Sequence, residues 1–464
     1  MFDTFPLKAY NDSMNGVVEN VRVVVRGNET RAARLAFSEG RITARDEACP
    51  TDWPRTDGHG LLLLPGVIDP HTHFDDPGYT DHEDFTCGTR GAITGGVTTI
   101  CDMPDTSVPP VTTRFALRSK IEAVEPKAFC DFALWGGVSA NALEDPRWVR
   151  AMSELRDDGV IGIKTYTCSG MDSFRHLSWE QYPAVLVLAA ELGLPVGVHA
   201  EDASIIFDAT QRVLDRTDTY AWYLARPVKA EVEAIQRVAA MAKQAGSSIH
   251  IVHLSSGSGA AAVADFQKEG IDISAETCPQ YLAFNVDDFC RLGSILKCAP
   301  SVKTAEEQRA LWLFLGTAVS ILATDHAPCP IVEKQTGNIF SDYAGMPGVE
   351  LLLPFIMTYG YHAGVLTLEQ IISLTSANAA RRFGLYPRKG CLEPGADADF
   401  VLIDPARSFC VDAAKLQSKG KYTPFHGQTF YGRVRQTWLR GTRVYNDGDY
   451  TGPTGHFIAR NREK

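Results

Sequence analysis

Short strand-like runs separated by turn residues mark both ends of the chain, and a different pattern fills the middle. Near the start, Val17–Arg26 (VVENVRVVVR), Ala33–Phe37 and Gly40–Ala44 are such runs, the first closed by a Gly27-Asn28 turn. Near the end, Asp399–Ile403, Arg433–Leu439 and Arg443–Tyr445 have the same texture, with a turn at Gly441. These patterns predict a small discontinuous β-sandwich made by both termini, residues 1–60 and 385–464, flanking a unit of residues 61–384.

The middle alternates continuously apolar runs with segments of helical spacing. Gly66–His71, Val97–Met103, Phe129–Trp135 and Val160–Tyr166 come first; Pro195–His199, Ser248–Leu254, Asp272–Thr277 and Ser320–Asp325 follow. Between them, Ser178–Leu192 (SWEQYPAVLVLAAEL) and Lys229–Ala245 (KAEVEAIQRVAAMAKQA) place apolar residues at helical intervals with few breakers. Strands apolar on both faces imply a parallel sheet covered by helices. Eight of them predict an α/β fold of the (β/α)8 TIM-type barrel, with its site at the C-terminal strand ends. A doubly wound open sheet would carry a Gly-rich phosphate loop after its first strand. None follows Gly66–His71.

Composition narrows the function classes. The 464 residues are 45% hydrophobic and 22% charged, an ordinary globular mixture. Lys+Arg number 45 against 56 Asp+Glu, and the resulting net charge of −11 disfavours nucleic acid or an anionic membrane as partner. No apolar stretch reaches the roughly 20 residues that span a bilayer. The N-terminal MFDTFPLKAYNDSMNG lacks a basic segment followed by an apolar one, so no secretory signal is expected. Eleven Cys without a C-x-x-C pair suit free thiols and a cytoplasmic location.

The predicted strand ends carry the chemistry. Strand one ends in Asp69-Pro70-His71-Thr72-His73, and a pair at i and i+2 projects to one face, so both imidazoles reach one ion. Lys164 lies near the end of strand four, His199 ends strand five, His253 lies near the end of strand six and Asp325 ends strand eight. Singly, each has a plain structural reading: a satisfied histidine, a lysine reaching past the rim, an aspartate capping a helix. Together they form a ligand set for zinc or another first-row divalent ion. An ammonium among such ligands is repelled. Carbamylation of Lys164 by CO2 resolves the conflict, converting it to an anionic carboxylate able to bridge two metals.

These residues, with Thr324-Asp325-His326-Ala327-Pro328 and the tail segment Gly395–Leu402 (GADADFVL), resemble the amidohydrolase superfamily. The likeness is to its cyclic-amidase branch of allantoinases, dihydroorotases and hydantoinases, and covers nearly the whole chain. It implies two divalent metal ions: zinc, with manganese, iron or cobalt as alternatives. His71, His73 and Asp325 would hold one ion, His199 and His253 the other, with carbamylated Lys164 bridging. A hydroxide held between them would attack a ring amide, with Asp325 the catalytic base and then acid, oriented by His326. The resemblance also implies a homodimer or homotetramer.

The same likeness ranks substrates. Where dihydroorotases carry a carboxylate-binding Arg and Asn, this chain has Asp75 and Asp105; Ala299, in Lys297-Cys298-Ala299-Pro300, and Cys329 replace two further binders. Two carboxylates there should repel an anionic ring. Allantoinases are similar at Asp102-Met103-Pro104, at Ser107–Pro110, at Cys168–Phe174 and at Gly337–Phe340. Asp75-Asp76, Tyr79 and Gln280 depart from their usual residues. The reading is ring-opening of allantoin or a related hydantoin or ureide, with Asp75, Asp105, Ser169, Cys298 and Cys329 as candidate substrate contacts. Dihydroorotate and dihydropyrimidine hydrolysis are the enzymatic alternatives. A catalytically silent scaffold is the non-enzymatic one, and the complete ligand set weighs against it.

Overall fold

The computed structural model describes residues 15–461. Most of the segment read above as lacking a secretory signal, residues 1–14, lies outside them.

All eight apolar runs of the middle are strands: Val67–Thr72, Val97–Asp102, Asp131–Leu134, Ile163–Tyr166, Val196–His199, Ile249–Ile251, Ile273–Thr277 and Val319–Leu322. The first three pair in parallel as one sheet. The other five, with Gly136–Gly137 at one edge, pair in parallel in chain order as a second. Asp131–Leu134 runs through Trp135 into Gly136–Gly137, so the third strand serves both sheets. On the far side, a parallel bridge between Thr72 and His326 brings the end of the eighth strand to the first. The His73 N–H donates to the His326 carbonyl over 2.8 Å.

Helices connect most of these strands, among them Tyr182–Leu192 and Val228–Ala245, both matching predicted patterns. Each ends at a left-handed glycine, Gly193 or Gly246, where a side chain would be strained. Their apolar faces pack on the outward side chains of the strands, such as Val196 and Val198.

Inside the ring of strands, Trp135 and Phe383 meet edge to face at 5.1 Å in a fully buried cluster with Ile68, Met103 and Ile321. A Cβ on Gly162 or Gly197 would lie 2.6 or 2.9 Å from the Trp135 ring, so glycine at both positions admits the indole. This apolar plug fills the interior and leaves the polar strand ends above it.

Both chain ends contribute to one nine-stranded sheet. Gly16–Arg26, Glu29–Ser38 and Arg41–Arg45 lie on one side of Leu62–Pro65, with Arg55–Asp57 also paired to Gly16–Arg26; Phe400–Cys410, Thr429–Leu439, Thr442–Asn446 and Asp449–Tyr450 lie on the other. Phe37, Phe400 and Trp438 pack at its centre, with ring centroids 5.2–6.3 Å apart. Among the described residues no helix is long and apolar enough to cross a membrane.

Candidate active site

His71, His73, Lys164, His199, His253 and Asp325 all lie at the C-terminal ends of the parallel strands or just beyond them. Strand alternation explains this. In Ile163–Tyr166, Ile163 joins the outer core while Lys164 and Tyr166 share the opposite, inner face. His253 (φ 38°) and Asp325 (φ 51°) adopt left-handed backbone at the points where strands become loops. Non-glycine residues hold that conformation at a cost of about 1–3 kcal/mol, which the surrounding contacts must offset.

The ring nitrogens are turned in a consistent way. His71 Nε2 and His73 Nε2 each lie 3.3 Å from Asp325 Oδ1. His199 Nδ1 lies 2.9 Å from His253 Nε2. The opposite nitrogens of three of these rings face carboxylates: His71 Nδ1 is 2.5 Å from Glu276 Oε1, His73 Nδ1 3.5 Å from Asp105 Oδ2, and His199 Nε2 3.0 Å from Glu201 Oε2. A carboxylate on the far nitrogen fixes ring orientation and raises the basicity of the near one.

His71, His73 and Asp325 each offer a ligand atom within 4.8 Å of the others. His71 Nε2 and Lys164 Nζ are buried and have no hydrogen-bond partner in the protein. Burial opposes protonation of His73, but Asp105 and Asp325 reverse this and raise it to about 9. A divalent ion offers those carboxylates the compensation that a proton otherwise supplies. Burial also draws the Lys164 ammonium below its ordinary range, against the attraction of Asp105, Asp325 and Glu276. His253 is pushed well below its ordinary value by burial and by the neighbouring His199 and Lys164. Bare nitrogens and carboxylates turned toward one another fit divalent metal chemistry.

A cavity of about 340 Å³ opens over these groups. Asp105 and Ser169 line it, as do Asp325 and three of the four histidines. Asp105 is buried, accepts a hydrogen bond from the Tyr166 hydroxyl at 3.0 Å, and keeps Oδ1 free of any protein donor. Asp75, Cys298 and Cys329 are buried but are not among the cavity-lining residues. Asp75 lies 3.6 Å from His82 Nδ1, the Cys298 carbonyl accepts from Trp222 Nε1, and the Cys329 N–H donates to the Tyr422 hydroxyl. His326 Nδ1 accepts from the backbone N–H groups of Gly348 and Val349, so its Nε2 is the protonated nitrogen facing Glu83 Oε2 at 3.3 Å.

Sequence reading did not single out Glu201, Tyr166 or Arg226 and gave Glu276 no role. The available signals were a carboxylate two residues beyond His199 and a charged residue inside the apolar run Ile273–Thr277. Arg226 arrives from a distant loop, and no local pattern marks it.

The Amidohydrolase family profile matches residues 62–444. The chain is 40% identical to an allantoinase of Rubrobacter xylanophilus over 88% of its own length and 89% of that protein. It is 38% identical to an allantoinase of Solibacter usitatus, covering 94% and 95%. Among solved structures, an L-hydantoinase (dihydropyrimidinase) from Arthrobacter aurescens superposes with a TM-score of 0.91 at 31% identity, covering 96% of this chain and all of that one. A dihydropyrimidinase from Brevibacillus agri gives 0.89 at 27% identity, covering 96% and 99%.

Proposed function

The chain belongs to the amidohydrolase family, and from that premise we propose that it opens a small cyclic ureide, allantoin first, by metal-dependent hydrolysis of a ring amide. One observation carries the reading: His71 Nε2, His73 Nε2 and Asp325 Oδ1 converge beneath a cavity, with His199 Nδ1 and His253 Nε2 facing each other nearby.

His71, His73 and Asp325 would hold one divalent ion, His199 and His253 a second, and Lys164 would bridge them as its carbamate. The neutral amine is the form that adds CO2, and burial favours that form of Lys164. Zinc suits the donor set, as do manganese, iron and cobalt. When bound, such ions polarise a carbonyl and lower the pKa of water toward neutrality. Asp325 would take the proton of the attacking water and deliver it to the departing ring nitrogen. Glu276, Asp105 and Glu201 keep three histidines turned toward the centre. The product is a ureido acid, and no protein nucleophile is needed; burial raises the Cys168 thiol to about 11, away from reactive thiolate.

Asp105 opposes the carboxylate of dihydroorotate, so that ring is disfavoured; Asp75, outside the cavity lining, adds little to this argument. Assaying metal-replete protein with allantoin, hydantoin, dihydrouracil and dihydroorotate tests the reading. Allantoin should be hydrolysed fastest. Dihydroorotate as best substrate would overturn the charge argument, and no turnover of any would overturn the reading. Asp325→Asn should lower kcat by about 10²–10⁴-fold with an unchanged circular-dichroism spectrum.

A further inference from the structure

Resting on that reading, we propose that Arg226 is the specificity-determining residue of the cavity, reading a carbonyl on the substituent that the ring carries at the carbon next to the scissile carbonyl. Arg226 lines the same cavity as His199, His253 and Asp325. Its Nη1 is ion-paired with Glu201 Oε2, the carboxylate that also faces His199 Nε2. Its guanidinium lies over the Trp222 ring, 4.5 Å from the centroid, and Trp222 is itself tied to the Cys298 carbonyl at 2.9 Å. The backbone carbonyl of Arg226 accepts from Lys303 Nζ at 2.8 Å. The side chain is therefore fixed on two sides before any ligand arrives.

What remains unused is informative. Arg226 Nε is buried and has no hydrogen-bond partner. An unmade hydrogen bond from a buried guanidinium nitrogen is costly, and a ligand acceptor relieves the cost. Glu201 balances the formal charge of Arg226, so the residue offers a directional donor rather than an uncompensated cation. That favours a neutral carbonyl over a carboxylate. On the same cavity Asp105 Oδ1 offers the complement, an acceptor without a protein donor. A substituent presenting both C=O and N–H groups satisfies both: the ureido arm of a 5-ureidohydantoin does, whereas hydantoin itself has no arm. The structure thus assigns the preference between the two activities named among its relatives to the polar lining of the cavity.

Two roles for Arg226 must be separated, because it touches Glu201 and could act only through His199. Wild type, Arg226→Lys, Arg226→Gln and Glu201→Gln are compared on allantoin and hydantoin, with bound metal measured for each. For Arg226→Gln, kcat/KM for allantoin should fall on the order of 10- to 100-fold more than for hydantoin, chiefly through KM. Arg226→Lys, which keeps a cation beside Glu201 but loses the fork, should show the same selective loss with metal content closer to wild type. Glu201→Gln should lower both substrates together and lower metal retention. Equal losses on both substrates in the Arg226 variants would overturn the proposal, as would an unchanged allantoin KM. Wild type inactive on both rings would instead overturn the functional reading on which it rests.

Discussion

His71, His73 and His199 each turn one ring nitrogen toward Asp325 or His253 and the other toward a buried carboxylate, and this pairing decides how the site behaves as a ligand set. Glu276 shows it most clearly. It lies 2.5 Å from His71 Nδ1 and 3.1 Å from His250 Nε2, and it accepts the His253 N–H at 3.3 Å. Burial opposes its charge, yet His71 and His250 hold it well below the usual carboxylate range. Glu276→Gln keeps the shape but removes the charge that orients His71. Metal affinity, measured by competition with a chelator, should weaken about 10- to 100-fold. Unchanged affinity would mean that backbone geometry alone orients the ring. Glu276 was visible in the sequence only as a charge within an apolar strand. Its partner His71 is 205 positions away, a separation at which no local pattern operates.

At the scale of elements, the eight apolar runs and the two quoted helices were legible because the burial they encode is periodic and local. Strand ends agree or differ by up to three residues. The interior was not legible in this way. Gly162 and Gly197 lie inside apolar runs with no pattern that marks their role, and both give room to the Trp135 indole, which donates from Nε1 to the Pro70 carbonyl at 3.0 Å. Gly197 pairs in register with Lys164, so its strand links the plug to the site. A Gly197→Ala methyl would meet the ring at 2.9 Å. The variant should lose about 1–3 kcal/mol in urea denaturation. A stability equal to wild type would show that the indole can move without penalty.

Across the whole molecule, a buried charge cluster joins the parallel strands to the sheet formed by the chain ends. Lys389 Nζ lies 2.5 Å from Asp131 Oδ2 and from Asp399 Oδ2, and 3.0 Å from Asp397 Oδ2; Arg440 pairs with Asp131. Asp131 opens the third parallel strand, and Asp397 and Asp399 lead into Phe400–Cys410 of the larger sheet. Burial penalises the Lys389 charge, but the three carboxylates raise its pKa well above the ordinary value. Lys389→Met would leave those carboxylates to the partly exposed guanidiniums of Arg440, Arg388 and Arg41 with no ammonium between them, and unfolding free energy should fall by about 3–5 kcal/mol. A loss below about 1 kcal/mol would show that water replaces the ammonium. Taken by itself, the sequence determined the strand count, the barrel class, the textures of the two ends and the six residues at the strand ends, because each follows from periodicity or short spacing. Only the tertiary structure decided which carboxylate faces which histidine, that Asp105 and Ser169 line the cavity while Asp75, Cys298 and Cys329 do not, and that Arg226 enters it. Except for His199 and Glu201, two positions apart, those relations join residues tens to hundreds of positions apart, and chain connectivity carries no record of them until the strands close side by side.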